Sequence, residues 1–257
     1  MSSEENNGTE SGEQSMSFLD HLEELRSRLL KIVLGVLIGT LAAFFVSDYI
    51  LEILLIPAKS LDKPLDLQVL QVQGMFMIKL QIAFIAGLIV ALPVFVYQTW
   101  QFVAPGLYEH ERHFLPVIMV VTFVLFMIGL TFAYILFIPL AISFLTDLGP
   151  SYIKFNVSIN SYISFVLRLC LLMGAVFEMP LLALILGKMG LLTSEWLRKF
   201  RRHSIVVIFI IAAIFTPPDV ITQFFMAIPL VLLYEISIYT VKIVEKKKRE
   251  KEAEEEE

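Results

Sequence analysis

Residues 114–146, FLPVIMVVTFVLFMIGLTFAYILFIPLAISFLT, form a long run without a charged side chain. A helix needs about 20 mostly apolar residues to cross the hydrocarbon core of a bilayer, so this run is longer than one crossing requires. Hydrophobic residues make up 57% of the chain, above the roughly 45–50% of soluble domains. The sequence therefore predicts an all-α membrane protein, in which the third helix stops near Pro139 and an interfacial segment follows it.

Five further apolar runs lie on either side of this one, and together they predict six transmembrane helices without a separate soluble domain. The approximate spans are residues 29–48, 78–98, 114–138, 162–186, 204–216 and 220–240. They form one integral domain over residues 16–241. A polar tail at residues 1–15 is expected to be disordered, and residues 242–257 are expected to form a charged tail in solvent.

The fifth and sixth helices are predicted to be short. The charge-free part of the fifth covers residues 204–215, which reach about 18 Å at ~1.5 Å per residue, against a hydrocarbon core ~30 Å thick. The connection after Thr216 contains two prolines, which end one helix, and Asp219, which can cap the next. The sequence thus predicts a shallow helical hairpin.

Lys and Arg residues gather on one side of the predicted spans. Of the 20 in the chain, 15 lie before the first span, after the second, between the fourth and fifth, or after the sixth. The loops on the opposite side contain only Lys59, Lys63 and Lys154. Loops rich in Lys and Arg stay in the cytoplasm, so both termini are predicted to be cytoplasmic.

Acidic residues occur at two places on this cytoplasmic side. Glu24 precedes the first span, and Glu111 follows the second. Carboxylates suit a guanidinium ligand, whose planar fork donates charge-assisted hydrogen bonds that an ammonium cannot reproduce. Two ordinary alternatives stay open: Glu24 pairs with Arg26 or Arg28 in the next turn, and the segment around Glu111 is a solvated loop.

Glu178 lies deep in an apolar run, where an ionised carboxylate is costly and an ionisable residue is a functional candidate. A carboxyl that is protonated or bonded to a neighbouring helix is the structural alternative. Arg168 lies ten residues away, about 15 Å of helix, which is too far for a direct ion pair. The chain shows no phosphate-binding loop, zinc motif, nucleophile elbow or Cys/His cluster. We therefore predict no enzyme activity, no metal or other cofactor and no nucleic-acid partner.

Four separated motifs agree with one another: HLEELR at 21–26, FVAPGLYEHER at 102–112, FEMP at 177–180 and FTPPD at 215–219. Through them the chain resembles the TatC family, the multispanning subunit of the twin-arginine protein translocase. The resemblance implies a glove-like concave bundle in the bacterial cytoplasmic (inner) membrane. It also implies a receptor for folded proteins with twin-arginine signal peptides, which works in a multimeric complex with the single-span subunits TatA and TatB and uses the proton-motive force.

The resemblance also implies roles for individual residues. The signal-peptide site would consist of Glu24, Glu111, Arg26, Phe102, Leu107 and Tyr108. The intramembrane polar and partner-binding residues would be Glu178, Asp219 and Gln223. Pro57, in the first external loop, matches a position that the family needs for function.

Two other functions stay open at this point. A secondary solute or ion carrier would use Glu178, together with Arg168, as an intramembrane relay. A passive assembly scaffold would bind partner subunits but have no affinity for signal peptides.

Overall fold

The computed structural model describes residues 18–61, 65–103, 115–148, 156–216 and 219–255, so the predicted N-terminal tail lies outside it. Within these residues the chain forms nine α-helices: Phe18–Phe45 (α1), Ser47–Lys59 (α2), Gly74–Val103 (α3), Leu115–Phe132 (α4), Ile138–Asp147 (α5), Ile159–Phe177 (α6), Met179–Lys188 (α7), Ser194–Phe215 (α8) and Val220–Glu255 (α9). Two short strands, Asp66–Gln68 (β1) and Asn156–Ser158 (β2), pair in parallel. The predicted helical class is confirmed, with this small sheet as an addition.

Five helical segments are long and apolar enough to cross a membrane: Leu22–Phe45, Gly74–Phe102, Pro116–Asp147, Ile159–Lys188 and Val220–Glu250. A helix satisfies its own backbone hydrogen bonds, which is why charge-poor segments in lipid adopt this structure. Their outward side chains are apolar and strongly exposed, with Leu41 at 66% and Phe45 at 84%. Such surfaces suit contact with lipid chains.

α8 is not among the five, because its first turns contain Arg198, Lys199, Arg201 and Arg202. It is nevertheless 22 residues long, and α9 is 36 residues long. Both helices are therefore longer than the short helices that the charge-free runs predict. The difference arises because α8 begins, and α9 ends, in charged turns that continue the helix beyond its apolar part.

The third apolar run forms one continuous helical segment, so the prediction that the helix stops near Pro139 was wrong. α4 passes into a π-helical turn at Ala133–Phe137 and then into α5, with Pro139 in its first turn. Proline lacks a backbone N–H, and its ring collides with the carbonyl four residues earlier in a regular helix. The wider π turn removes that conflict, so the helix continues.

The connection between α1 and α3 also differs from the predicted external loop. Pro57 is buried inside α2. Two tyrosines hold this helix: the hydroxyl of Tyr134 donates to the Ile53 carbonyl at 2.5 Å, and that of Tyr162 donates to the Leu54 carbonyl at 2.8 Å. Pro57 is therefore part of a helix anchored to the membrane segments.

α1 and α3 pack antiparallel through a close contact between two glycines. A Cβ atom at Gly39 would lie 2.7 Å from the carbonyl oxygen of Gly87, and small residues of this kind let membrane helices approach closely. At one end of the pair, Lys79 Nζ lies 2.7 Å from Oδ1 of Asp48. At the other end, the first turns of α1 meet the last turns of α3.

α6 lies at the centre of the described helices, with contacts to α3, α4, α8 and α9. Its side chains at Ile163 and Leu169 are fully buried. Against α4 the fit depends on Gly174, since a Cβ there would lie 2.6 Å from the Phe126 ring. This packing sets the register of α6 against α4 and so places Glu178 beside α4.

Candidate functional site

Glu24 and Arg28 form an ion pair in the first turns of α1. They are four residues apart, a spacing that puts two side chains on the same face of a helix. Arg28 donates to Oε1 of Glu24 from Nε at 2.8 Å and also from Nη2. The side chains of Glu24 and Arg28 are only 20% and 16% exposed. Glu24 therefore holds a guanidinium group in a partly dehydrated setting.

The last turns of α3 provide the second wall of this site. Nη1 of Arg28 donates to Oε1 of Gln101 at 2.9 Å. The side-chain amide of Gln101 in turn donates to the hydroxyl of Tyr97 at 2.7 Å. The guanidinium of Arg28 thus joins a carboxylate of α1 to a polar group of α3.

A cleft of about 390 Å³ opens beside the pair. We call it the Glu24 cleft; its lining residues are Glu23, Glu24, Ser27, Arg28, Lys31 and Gln101. The lining contains two carboxylates and two cationic side chains. Its polar character distinguishes it from the apolar faces of the surrounding helices and suits a charged ligand.

The structure brings only some of the predicted binding residues to this cleft. Phe102 is half-buried at the end of α3, next to Gln101 in the chain. Arg26 is exposed, and its position two residues after Glu24 directs it to another side of α1. The predicted residues outside the described part of the chain are Glu111, Leu107 and Tyr108.

Glu178 lies where α6 ends and α7 begins, two residues before Pro180. Its carboxyl group faces the hydroxyl of Thr122 and the backbone of Phe126 in α4. Its Oε1 atom is buried and has no hydrogen-bond partner within the described residues. A buried polar atom in that state costs folding free energy, so packing alone does not account for a glutamate here.

Asp219 and Gln223 hold the turn between α8 and α9. Oδ1 of Asp219 accepts from the backbone N–H of Thr222 at 2.7 Å, and Oδ2 accepts from the Thr222 hydroxyl. Asp219 is therefore the helix cap that the sequence predicts. The amide of Gln223 donates to the Phe209 carbonyl of α8 at 2.9 Å. Both residues stabilise the hairpin itself.

Sequence comparison identifies the family to which the chain belongs. The sequence model described as "Sec-independent protein translocase protein (TatC)" matches residues 20–229, which contain the cleft residues, Glu178, α8 and the first turns of α9 with Asp219 and Gln223. The chain belongs to the TatC family.

TatC relatives resemble the chain over most of their length. The Sec-independent protein translocase protein TatC of Aquifex aeolicus is 42% identical over 238 residues, which cover 91% of this chain and 98% of that protein. The Escherichia coli relative is 35% identical, with 88% of each chain covered. A crystal structure of the twin arginine translocase receptor TatC superposes with a TM-score of 0.80 at 41% identity, covering 87% of this chain and 99% of the other.

TatC membership confirms the resemblance carried by the four motifs. The chain is an integral membrane component of a Sec-independent protein translocase, and it is not an enzyme. The solute-carrier alternative gains no support from these comparisons.

Of the six residues that line the cleft, only Glu24 belongs to the signal-peptide site inferred from the TatC resemblance, and two of the other five, Arg28 and Gln101, bind each other. For Arg28 the sequence predicts only an ordinary helix pair with Glu24, from their four-residue spacing. No sequence pattern links Gln101 to this site, because it lies 73 residues from Arg28. Only the antiparallel packing of α1 and α3 brings these two side chains together.

Proposed function

We propose that this TatC family member is the signal-peptide receptor of a twin-arginine translocase in the bacterial cytoplasmic membrane. It would cross the membrane six times with both termini in the cytoplasm, α8 being the additional span. The one-sided distribution of Lys and Arg supports this orientation. The packing of α8 along α9, seen where the Tyr234 hydroxyl donates to the Leu197 carbonyl at 2.7 Å, supports a paired crossing.

The observation that carries the proposal is the guanidinium held by Glu24. A carboxylate that accepts two N–H groups of one guanidinium in a shielded cleft has the chemistry needed to bind an arginine of another chain. Glu24 would receive one arginine of the signal peptide and Glu111 the other. The remaining residues of the proposed surface are Arg26, Phe102, Leu107 and Tyr108.

The same proposal assigns the partner subunits to the hairpin. TatA and TatB would pack on α8 and α9, whose relative position is held by Asp219 and Gln223. Glu178 would bind a polar residue of a partner helix, because its buried Oε1 gains a hydrogen bond when a donor arrives. Several copies of the complex would assemble to move folded cargo with the proton-motive force.

Binding of a twin-arginine signal peptide to the purified full-length chain in detergent tests the receptor function. We expect Glu24→Gln and Glu111→Gln each to weaken binding by about 10- to 100-fold, the loss of one charge-assisted contact. A peptide with two lysines in place of the arginines should bind as weakly. Glu52→Gln removes an exposed carboxylate from α2 and should leave the affinity unchanged.

Two results would contradict the proposal. Equal affinity for the arginine and lysine peptides would exclude recognition by carboxylates. If no peptide binds even when TatA and TatB are present, the chain acts as a passive assembly scaffold.

A further inference from the structure

We infer that Arg28 is a built-in competitor for the arginine that Glu24 binds, and that it thereby sets the affinity of the receptor for signal peptides. The inference rests on the proposed function, which it extends with an affinity-setting residue. It concerns the state of the cleft before a ligand arrives.

Arg28 offers Glu24 the same chemical group that a twin-arginine peptide would bring. Its Nε lies 2.8 Å from Oε1 of Glu24, and its Nη2 contacts the same oxygen. A second guanidinium cannot use that oxygen in the same way while Arg28 stays in place. The peptide therefore has to displace Arg28 before it makes the same two-donor contact with Oε1.

Arg28 has a second partner that makes this displacement feasible. Its Nη1 donates to Oε1 of Gln101 at 2.9 Å, and the Tyr97 hydroxyl holds the Gln101 amide at 2.7 Å. When Arg28 leaves Glu24, the bond to Gln101 keeps its guanidinium hydrogen-bonded on the α3 side of the cleft. The exchange thus leaves no shielded charge without a hydrogen-bond partner. Leaving such a charge without a partner is what would make the displacement costly.

The other cations near the cleft do not compete in this way. Arg26 is exposed on another side of α1. Lys31 lines the cleft, but within the described parts of the chain it makes no ion pair. The matched control is Lys199, an exposed cation in the first turns of α8 and outside the cleft: its removal changes the charge of the chain by the same amount without releasing Glu24.

A competitor of this kind lowers the apparent affinity for the peptide. The apparent affinity equals the intrinsic affinity multiplied by the fraction of receptor molecules in which Glu24 is not bound to Arg28. That fraction is a property of the free receptor, so the reduction is the same for every ligand. Arg28 consequently sets how tightly a peptide binds but leaves the preference for arginine over lysine unchanged.

Peptide binding to full-length variants in detergent tests the inference. Arg28→Gln should raise the affinity for a twin-arginine peptide by about two- to tenfold, the range expected for an i,i+4 ion pair up to a charged hydrogen bond. The lysine-pair peptide should gain by the same factor. Lys199→Gln should change the affinity by less than about twofold, as expected for an exposed charge outside the cleft.

A double variant makes the test specific to the pair. In a Glu24→Gln background Arg28→Gln should bring no gain, since no carboxylate remains to be released. If Arg28→Gln does not fold, Arg28→Lys serves in its place, because an ammonium competes less well for a carboxylate than a guanidinium. It should give a smaller gain in the same direction.

Each other outcome is decisive. A loss of affinity in Arg28→Gln would show that Arg28 positions Glu24 for binding. A gain in Lys199→Gln equal to that in Arg28→Gln would show that the effect comes from the net charge of the chain. Either result overturns the inference. If wild type binds in a Glu24-dependent manner but Arg28→Gln gains nothing, this inference alone fails. If neither wild type nor Arg28→Gln binds any peptide, the proposed function fails with it.

Discussion

Glu245 of α9 accepts two hydrogen bonds from Ser194 in the first turn of α8, at 2.9 Å from the backbone N–H and at 2.5 Å from the hydroxyl. The amides at the start of a helix lack partners within it, and a carboxylate there also complements the helix dipole. The charged composition of residues 242–257 predicts a tail in solvent. The structure shows that residues 242–255 continue α9 and that Glu245 within them fixes the start of α8.

Removal of the Glu245 carboxylate should loosen the α8–α9 pair. We expect Glu245→Ala to lower the free energy of unfolding by about 1–3 kcal/mol, the cost of lost hydrogen bonds to a charged group. Thermal unfolding in detergent measures this change. The control is Glu250→Ala, which removes an exposed carboxylate 3.5 Å from Lys246; an equal effect of both substitutions would show that Ser194 is not the relevant partner.

The glycine contact between α1 and α3 should not tolerate a side chain. A Cβ atom at Gly87 would overlap the backbone of Thr40, so we expect Gly87→Ala to cost about 1–3 kcal/mol or more through overpacking. Gly35→Ala is the control, because its Cβ would meet Val94 Cγ1 at 3.4 Å. The two variants are compared by the yield and melting temperature of the purified chain, and similar values would refute the close contact.

The hydroxyl of Tyr162 should anchor α2. Tyr162 is 3% exposed and donates to the Leu54 carbonyl, so Tyr162→Phe should cost about 1–2 kcal/mol by leaving that carbonyl without its partner. We expect faster amide hydrogen exchange in Ser47–Lys59. Tyr49→Phe, at a 71% exposed position of the same helix, should leave exchange unchanged. Unaltered exchange in Tyr162→Phe would mean that apolar packing alone holds α2.

We expect the carboxyl group of Glu178 to lower the stability of the folded chain although it contributes to the binding of partner subunits. Because its Oε1 is buried without a partner in the described structure, Glu178→Met should keep or raise the melting temperature of the purified chain. The same variant should reduce cross-linking to TatA and TatB in membrane vesicles. A fall of more than about 1 kcal/mol in unfolding free energy would instead show that the carboxyl makes a net stabilising bond.

The third apolar run shows how far sequence reasoning reaches. Its lack of charge identifies a membrane helix, since the backbone in lipid has to satisfy its own hydrogen bonds. Proline at position 139 suggests a stop, because a regular helix cannot accommodate it without loss. The continuation through a π turn depends on packing of Ala133 and Phe137 in the core, and no local pattern contains that information.

The candidate site likewise contains residues that the sequence predicts and a residue that only the structure brings to it. Glu24 and its neighbourhood were found from their place at the edge of a span, and the four-residue spacing to Arg28 is readable from the sequence. The grouping of Arg26 with Glu24 followed the motif, but helix geometry turns the two residues apart. Gln101 reaches the cleft only through the packing of α3 against α1.

By itself, the sequence determined the membrane class, most of the helices and the family, because these depend on apolar length and on local motifs. Tertiary structure alone decided that the Arg28 paired with Glu24 also binds Gln101, and that Glu178 faces Thr122. The physical reason is that helix pairing in a membrane depends on close fit at small residues such as Gly39 and Gly87. Such a fit joins residues far apart in the chain and leaves no periodic signal in either segment.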